Sequence, residues 1–469
     1  MPLDVARQAA YAVLTAVRAD GAYANLALAA ELRERRLPPR DAAFVTELVS
    51  GTLRGRGTYD AVLAACVKRP LDDLEAAVLD VLRLGAHQLL SMRVPAHAAI
   101  STSVDLVRRE VGHRPAGFVN GVLRTVSKRD RDAWIVEVAP DPGADPDGYL
   151  AVAHSHPRWV VALLREAVGD AEVEALLRAD NEPPRVVLAS RPGRSEPAEL
   201  PGQPTRWSPY GVVLGAGDPG AVPAVAEGRA GVQDEGSQLV GLAAAWAEVD
   251  GRDERWLDLC AGPGGKAALL AALAAGQGAR LLANERLPHR AALVVRQLIG
   301  ADGVLGVVAG DGTCPPWAAG SFDRALVDAP CTGLGALRRR PEARWRRTPS
   351  DLDDLVPLQQ ALLSSALDSV RPGGAVVYAT CSPVLAETAG VVRAVLEVRA
   401  DAELDDARAL LAEVPDCDGP MPGTVQLWPH RHGTDAMFIA LLRRTALRGP
   451  SSRASGPPGS LRGGRAEPG

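Results

Sequence analysis

Lysine is nearly missing from this chain: Lys68, Lys128 and Lys266 stand against 49 arginines in 469 residues. That scarcity does not exclude phosphate binding, because a guanidinium neutralises phosphate as well as an ammonium does. The formal net charge is only −5, which excludes a globally basic nucleic-acid binder and leaves such contacts to local patches. No run of eighteen apolar residues occurs, so no membrane-spanning helix is expected. The opening MPLDVARQAAY has no apolar core of a secretory signal. The six cysteines (Cys66, Cys260, Cys314, Cys331, Cys381 and Cys417) include no Cys-x-x-Cys pair, which argues against a disulfide scaffold or a zinc ribbon. His154/His156 and His430/His432 form H-x-H pairs, but without Cys or carboxylate partners at ligand spacing, so no metal is expected. The expectation is a reduced, cytoplasmic, monomeric protein with free thiols.

At 47% hydrophobic and 23% charged residues, the chain has an ordinary globular composition, and its length suits about three domains. Residues 1–135 read as an all-α domain of six or seven helices. In 71–90, Leu74, Val78, Val81, Leu82, Gly85 and Leu89 share one helical face, with Asp72 as the expected N-cap. Another helix is expected to begin at Pro95. Residues 136–149, including APDPGADPDG (139–148), read as a linker. Residues 150–235 read as a small α+β module, with a helix in 156–169 and strands at 184–190 and 211–215. In 236–445, short apolar runs at 255–260, 280–284, 304–309, 323–328 and 374–380 alternate with helical segments. That alternation predicts an α/β fold with a parallel, doubly wound sheet. Runs at 424–428 and 436–442 predict an antiparallel hairpin on one edge, and the Ser, Gly, Pro and Arg of 446–469 a disordered tail.

Ligands of a doubly wound sheet bind where strands end. At the first such end lies DLCAGPGGKAALL (258–270), a loop of Cys260, Ala261, Gly262, Pro263, Gly264, Gly265 and Lys266 that opens a helix. It fails the Walker A pattern, since Cys260 stands where a Gly is required and Ala267 replaces the Ser/Thr after the lysine. The next strand ends in Glu285, placed for both hydroxyls of a ribose, and the third is followed by Asp311, near an adenine edge. Loop, acid and acid at successive strand ends point to a nucleoside cofactor without a long phosphate chain, and S-adenosylmethionine fits. Lys266 could hold the cofactor's carboxylate or a catalytic acid.

Two further strands end in thiols: ALVDAPCTG (325–333) carries Cys331, and VVYATCSP (376–383) carries Cys381. The ends of the first, fourth and fifth strands should surround one crevice, which puts both thiols beside the cofactor. One buried cysteine is usually apolar filler; two at this place suit a specific chemistry. C5 of a pyrimidine is too electron-poor to attack a methyl sulfonium, but a thiolate adding to C6 makes C5 nucleophilic. Asp328 could assist at N3, and a second group, with Cys331 as the candidate, could assist release. LRRRPEARWRR (337–347) holds six arginines around Trp345, a composition suited to phosphate contact and base stacking.

Together these stretches resemble the bacterial ribosomal RNA cytosine-5 methyltransferases with a NusB-like N-terminal domain. The matching segments are RDAAFVTELVSGTLR (40–54), GVQDEGSQLV (231–240), DLCAGPGGK (258–266), DAPCTGLGALRRRPEARW (328–345), YATCS (378–382) and HGTDAMFIALL (432–442), within residues 4–444. The resemblance implies that Cys381 is the nucleophile and Cys331 promotes product release. It implies cofactor contacts at Cys260–Lys266, Glu285, Asp311 and Asp328, and a cytosine of small-subunit ribosomal RNA as substrate. It also implies that 150–235 is an RNA-recognition-type module and that the helical domain is similar to an antitermination RNA-binding protein; that domain is expected to add RNA affinity or target choice, not chemistry. Transfer RNA or another RNA is the alternative target, and a non-enzymatic RNA-binding factor the alternative class. Two departures stand out. Glu387–Thr388 follow the second cysteine where the family usually has two Glu and an Asn, and Glu285 replaces the usual Asp.

Overall fold

The computed structural model describes residues 4–215 and 217–446, so the predicted tail lies outside the described residues beyond 446. No helix among the described residues is long and apolar enough to cross a membrane. The N-terminal part is helical: Val5–Ala19, Ala24–Arg35, Pro39–Cys66, Ala76–Leu90, Ala96–Glu110, Ala116–Val126 and Arg131–Val138. Leu48, Val49, Val81, Leu82 and Leu123 fill its core. Of the predicted face, Leu74, Val78, Val81, Leu82 and Gly85 are buried. Asp72 is not the cap. It sits in a 3-10 turn, Leu71–Asp73, and Leu74 beyond it is extended (φ −84, ψ 144), so the helix starts only at Ala76.

The predicted linker ends in a helix, Pro146–Ala153, capped by the Asp145 side chain, which accepts from the Gly148 amide at 3.0 Å. Asp followed by Pro is a helix start as well as a loop signal. This helix packs on Pro39–Cys66, where Thr58 Oγ1 donates to the Val152 carbonyl (2.6 Å) and the Gly57 amide to Ser155 Oγ (2.8 Å). Helices Arg158–Val168 and Val173–Ala179 follow. Then β1 (Val187–Ser190), β2 (Gln203–Pro204), β3 (Gly211–Val213) and β4 (Ala230–Val232) pair antiparallel in the order β2-β3-β1-β4.

The larger sheet contains β5 (Arg255–Asp258), β6 (Arg280–Glu285), β7 (Val304–Ala309), β8 (Phe322–Asp328), β9 (Val370–Thr380), β10 (Ala402–Asp405), β11 (Val425–Gln426) and β12 (Phe438–Arg444). Its order is β10-β12-β9-β8-β5-β6-β7, parallel from β9 to β7. Helices Glu235–Trp246 and Gly265–Gly276 pack on one face, and Asp351–Ser369 and Ala389–Val398 on the other. Cover on both faces is why these strands are continuous apolar runs. This is the predicted Rossmann-like architecture, with one correction. β11 does pair with β12, but β12 lies inside the sheet between β9 and β10. The four residues of β10, Ala-Glu-Leu-Asp, carry no apolar run to announce an edge strand.

The arginine run 337–347 is mostly internal, which corrects its expected role as an RNA-facing patch. Arg338 and Arg339 pair with Asp435 (3.3 and 3.0 Å) and with Asp234. Arg344, fully buried, donates to the Ser155 carbonyl (2.9 Å), Asn181 Oδ1 (2.8 Å) and the Asp180 carbonyl (3.3 Å). Trp345 packs so closely on the long helix that a Cβ on Gly57 would lie 2.6 Å from its ring. Arg347 donates to the Cys331 and Thr332 carbonyls (3.2 and 3.1 Å). Only Arg340 and Arg346 of the six are exposed. A planar fork of donors on a long stem suits such junctions, where several carbonyls and carboxylates meet. Arg344→Ala is expected to lower unfolding free energy by about 3 kcal/mol, because it strands buried acceptors and opens a cavity. Urea denaturation checks this, and a loss below about 0.5 kcal/mol, the level of an ordinary surface substitution, contradicts it.

Candidate active site

The glycine loop leaves β5 at Asp258 and enters its helix through Gly264, whose φ of +113 favours glycine. A Cβ on Gly264 would meet Gln297 at 2.9 Å, and one on Gly262 would lie 2.0 Å from Glu285 Oε2. The backbone is thus packed tightly against the end of β6. Glu285 Oε2 accepts from the Gly262 amide (3.1 Å) and Oε1 from the Leu287 amide (2.9 Å), each with a lone pair to spare. Asn284 donates to the Leu259 and Gly310 carbonyls (2.9 and 3.1 Å), stitching the ends of β5, β6 and β7 together. Asp311 lies exposed after β7, and its carboxylate accepts from the Thr313 amide and hydroxyl, which hold it below the usual range. Cys260 is held far above the usual thiol range by burial and the neighbouring carboxylates, so it is not a reactive thiol.

Lys266 Nζ donates to Asp328 Oδ2 (2.9 Å) and to Ser237 Oγ (3.1 Å). Of the two roles expected for it, the structure shows the one on the acid. Burial works to lower the ammonium, but the charge and hydrogen bond of Asp328 raise it above its ordinary value. Asp258 is fully buried, and among the described residues neither of its oxygens meets a donor at full hydrogen-bond geometry, the Cys260 amide being a weak neighbour. Burial, and then the charge of Asp328, push it up to about 7. Neither Asp258 nor Asn284 was singled out from the sequence; the available signal was a polar residue interrupting an apolar strand.

β8 and β9 are parallel neighbours, with Leu326 opposite Val377 and Asp328 opposite Ala379. Their ends carry Cys331 and Cys381, whose sulfurs lie 3.5 Å apart. Glu387, fully buried, joins the two loops. Its Oε1 accepts from the Thr332 amide (2.8 Å) and Gln359 Nε2 (3.0 Å), and its Oε2 from Thr332 Oγ1 (2.5 Å) and Ser382 Oγ (2.6 Å). Gln359 also donates to the Pro330 carbonyl (2.9 Å). The thiols diverge. A hydrogen bond from Cys331, helped by Lys266 and Arg340, lowers Cys381. That same bond, with burial and the charge of Glu387, raises Cys331. Of the two, Cys381 gives up its proton more readily than Cys331. The H-x-H histidines lie elsewhere: His156 is buried beside Arg344 and Asp180, and His430 bonds to Glu172 at 2.8 Å.

Residues 248–443 match the 16S rRNA methyltransferase RsmB/F family, and residues 4–128 match the NusB family. The ribosomal RNA small subunit methyltransferase B of Pseudomonas syringae is 32% identical over 455 residues, covering 94% of this chain and 97% of that one. The chain belongs to the RsmB/F family. As an RsmB/F protein it is an S-adenosylmethionine-dependent rRNA methyltransferase. A Mycobacterium tuberculosis protein named as a methyltransferase is 53% identical over 450 residues, 94% of this chain and 97% of that one. The solved structure of PH0851 superposes with a TM-score of 0.77 at 22% identity, covering 95% of this chain and 100% of that one, and shows the same fold.

Asp258 gives the RsmB/F site a pH signature. The unfolded chain releases this proton near 3.8 and the folded protein only at about 7. The folded state therefore binds the extra proton in that window, and stability falls as pH rises through it. Asp258→Asn removes the loss. Its stability relative to the parent should grow by roughly 2–3 kcal/mol between pH 5 and pH 8. Urea denaturation without cofactor checks this, and a difference that stays constant with pH contradicts it.

Proposed function

We propose that this protein methylates C5 of a cytosine in small-subunit ribosomal RNA through a covalent bond between Cys381 and C6 of the base. The observation that carries the reading is the thiol pair: two sulfurs 3.5 Å apart on adjacent strand ends, one favoured as thiolate and one as thiol. Filler cysteines have no need of the paired Lys266 and Asp328, whose charges act on Cys381.

The crevice suits the cofactor. An unpartnered buried carboxylate, Asp258, is matched to its ammonium group. Glu285 retains lone pairs for ribose hydroxyls, Asp311 lies at the adenine end, and the loop Cys260–Lys266 lines the space between. S-adenosylmethionine supplies an electrophilic methyl group when bound. The residues of the chain do the rest. Cys381 attacks C6 as thiolate, and charge accumulates toward N3. Asp328, held by Lys266 and protonated when the base is bound, donates that proton to N3 as the charge builds. C5 is now nucleophilic and takes the methyl group. Water then takes the C5 proton, the C5–H pair re-forms the C5=C6 double bond, and the Cys381 sulfur leaves with the C6–S pair as a thiolate, stabilised by a hydrogen bond from the Cys331 thiol, while N3 returns its proton to Asp328.

Denaturing gels of wild type, Cys381→Ala and Cys331→Ala, each mixed with cofactor and unmodified small-subunit rRNA, test the roles. Cys331→Ala should accumulate a covalent RNA adduct, and Cys381→Ala should form none and lose methyl transfer by at least about a thousandfold. Normal transfer by Cys381→Ala, or an adduct that persists in it, overturns the assignment.

A further inference from the structure

Of the arginines in 337–347, two are exposed, and only one of these, Arg340, is free of side-chain hydrogen bonds among the described residues. Arg340 is exposed and makes no side-chain hydrogen bond and no ion pair among the described residues. Its guanidinium stacks on Tyr23 with its centre 5.1 Å from the ring, and it also lies near enough to act on the Cys381 sulfur. Arg346 covers the same ring at 5.8 Å. Tyr23 comes from the other end of the chain, at the start of the helix Ala24–Arg35, and is 51% exposed.

Its position is not accidental to one loop conformation. The Ala24 amide donates to Glu342 Oε1 (3.1 Å), and Arg346 donates to the Val17 carbonyl (3.2 Å) and to that of Ala22. The backbone on both sides of Tyr23 is therefore tied to the strap that follows Cys331. Among the described residues, Tyr23 is not one of the side chains packed on the core of the helical domain. A half-exposed ring with two guanidinium planes over it offers flat surfaces on which a base can stack and charge for its phosphate, in one place. Gly335, five residues before Arg340, donates its amide to the Cys381 carbonyl (2.9 Å), and the Arg340 amide bonds back to the Ala336 carbonyl (3.0 Å), so this surface adjoins the catalytic loop.

We propose that Tyr23, Arg340 and Arg346 form a platform, shared between the N-terminal helices and the catalytic loop, that stacks and holds a nucleotide flanking the target cytosine. This rests on the methyltransferase reading above. It replaces Trp345, which is packed inside, as the stacking residue, and it makes the N-terminal domain part of the substrate site.

The test uses the full chain with small-subunit rRNA and cofactor. Wild type, Tyr23→Ala, Tyr23→Phe and Arg340→Ala are compared for KM toward RNA, cofactor affinity by calorimetry, and the salt dependence of RNA binding. Tyr23→Ala should raise KM for RNA roughly tenfold and leave cofactor affinity as in wild type. Tyr23→Phe, which keeps the ring, should recover most of that loss. Arg340→Ala should reduce the slope of log affinity against log salt by about 0.7, one phosphate contact on a single strand, whereas Tyr23→Ala should leave the slope unchanged. An unchanged KM in Tyr23→Ala overturns the platform, as does a joint loss of cofactor affinity and thermal stability, which marks a structural tyrosine. If wild type itself methylated no rRNA, the function reading would fall and take the platform with it; a normal wild type with an indifferent Tyr23→Ala removes the platform alone.

Discussion

Glu387 holds the two cysteine loops in one frame. A single buried carboxylate takes four donors, two from Thr332 on the first loop, one from Ser382 on the second and one from Gln359 on the helix behind. Charge-assisted hydrogen bonds of this kind are the strong ones, and they are directional. Strand pairing between β8 and β9 sets the ends side by side, but it leaves the chain beyond the last paired residues free to diverge. The carboxylate removes that freedom. The hydrogen bond between the two sulfurs and the burial of Cys331 do most to raise that thiol, and the Glu387 charge adds to them in the same direction. The family's usual Asn is missing after this glutamate, yet the network is complete without it.

Beyond Cys331, the arginine strap extends the frame outward. Arg347 grips the backbone of the cysteine loop, Arg344 fills the junction with Ser155, Asn181 and Asp180, and Arg346 and Glu342 reach the first helices. Each step relies on a fork of planar donors that meets several acceptors at once, which lysine cannot provide. The one lysine at the site stands where a compact charge is wanted instead, against a single carboxylate oxygen and a hydroxyl. An N-terminal domain joined in this way is less separable from catalysis than its likeness to a free-standing RNA-binding protein implies.

The parallel sheet was legible because strands covered on both faces must be apolar, and helices between them must be amphipathic. The thiols and the glycine loop were legible because ligand sites of such sheets lie at strand ends. β10 was not legible, since a short polar edge strand differs little from a loop. The helix starting at Pro146 was hidden because Asp-Pro marks turns and helix starts alike. Asp258 and Asn284 escaped notice, and Glu387 was noted without its role, for another reason: a single polar residue says nothing about which distant atoms it will meet. The arginine run misled in the same way. Charge in a sequence reads as exposure, and only the tertiary partners Asp234, Asp435 and the carbonyls at the junction reverse that reading.

The charges around the crevice also explain why a cationic cofactor should be favoured over its product. Asp258, Asp328 and Glu285 cluster about the loop, while Lys266 answers Asp328 and Arg290 approaches Glu285 only to 3.7 Å. Asp258 is left without a cation and meets its own burial by holding a proton up to about 7. A ligand that brings an ammonium and a sulfonium supplies the missing positive charge in a low-dielectric site, where it counts most. Methyl transfer removes the sulfonium charge, and with it part of that attraction. The excess of carboxylates thus costs stability in the empty protein and, in return, biases the site toward methyl donor before the reaction and away from demethylated product after it.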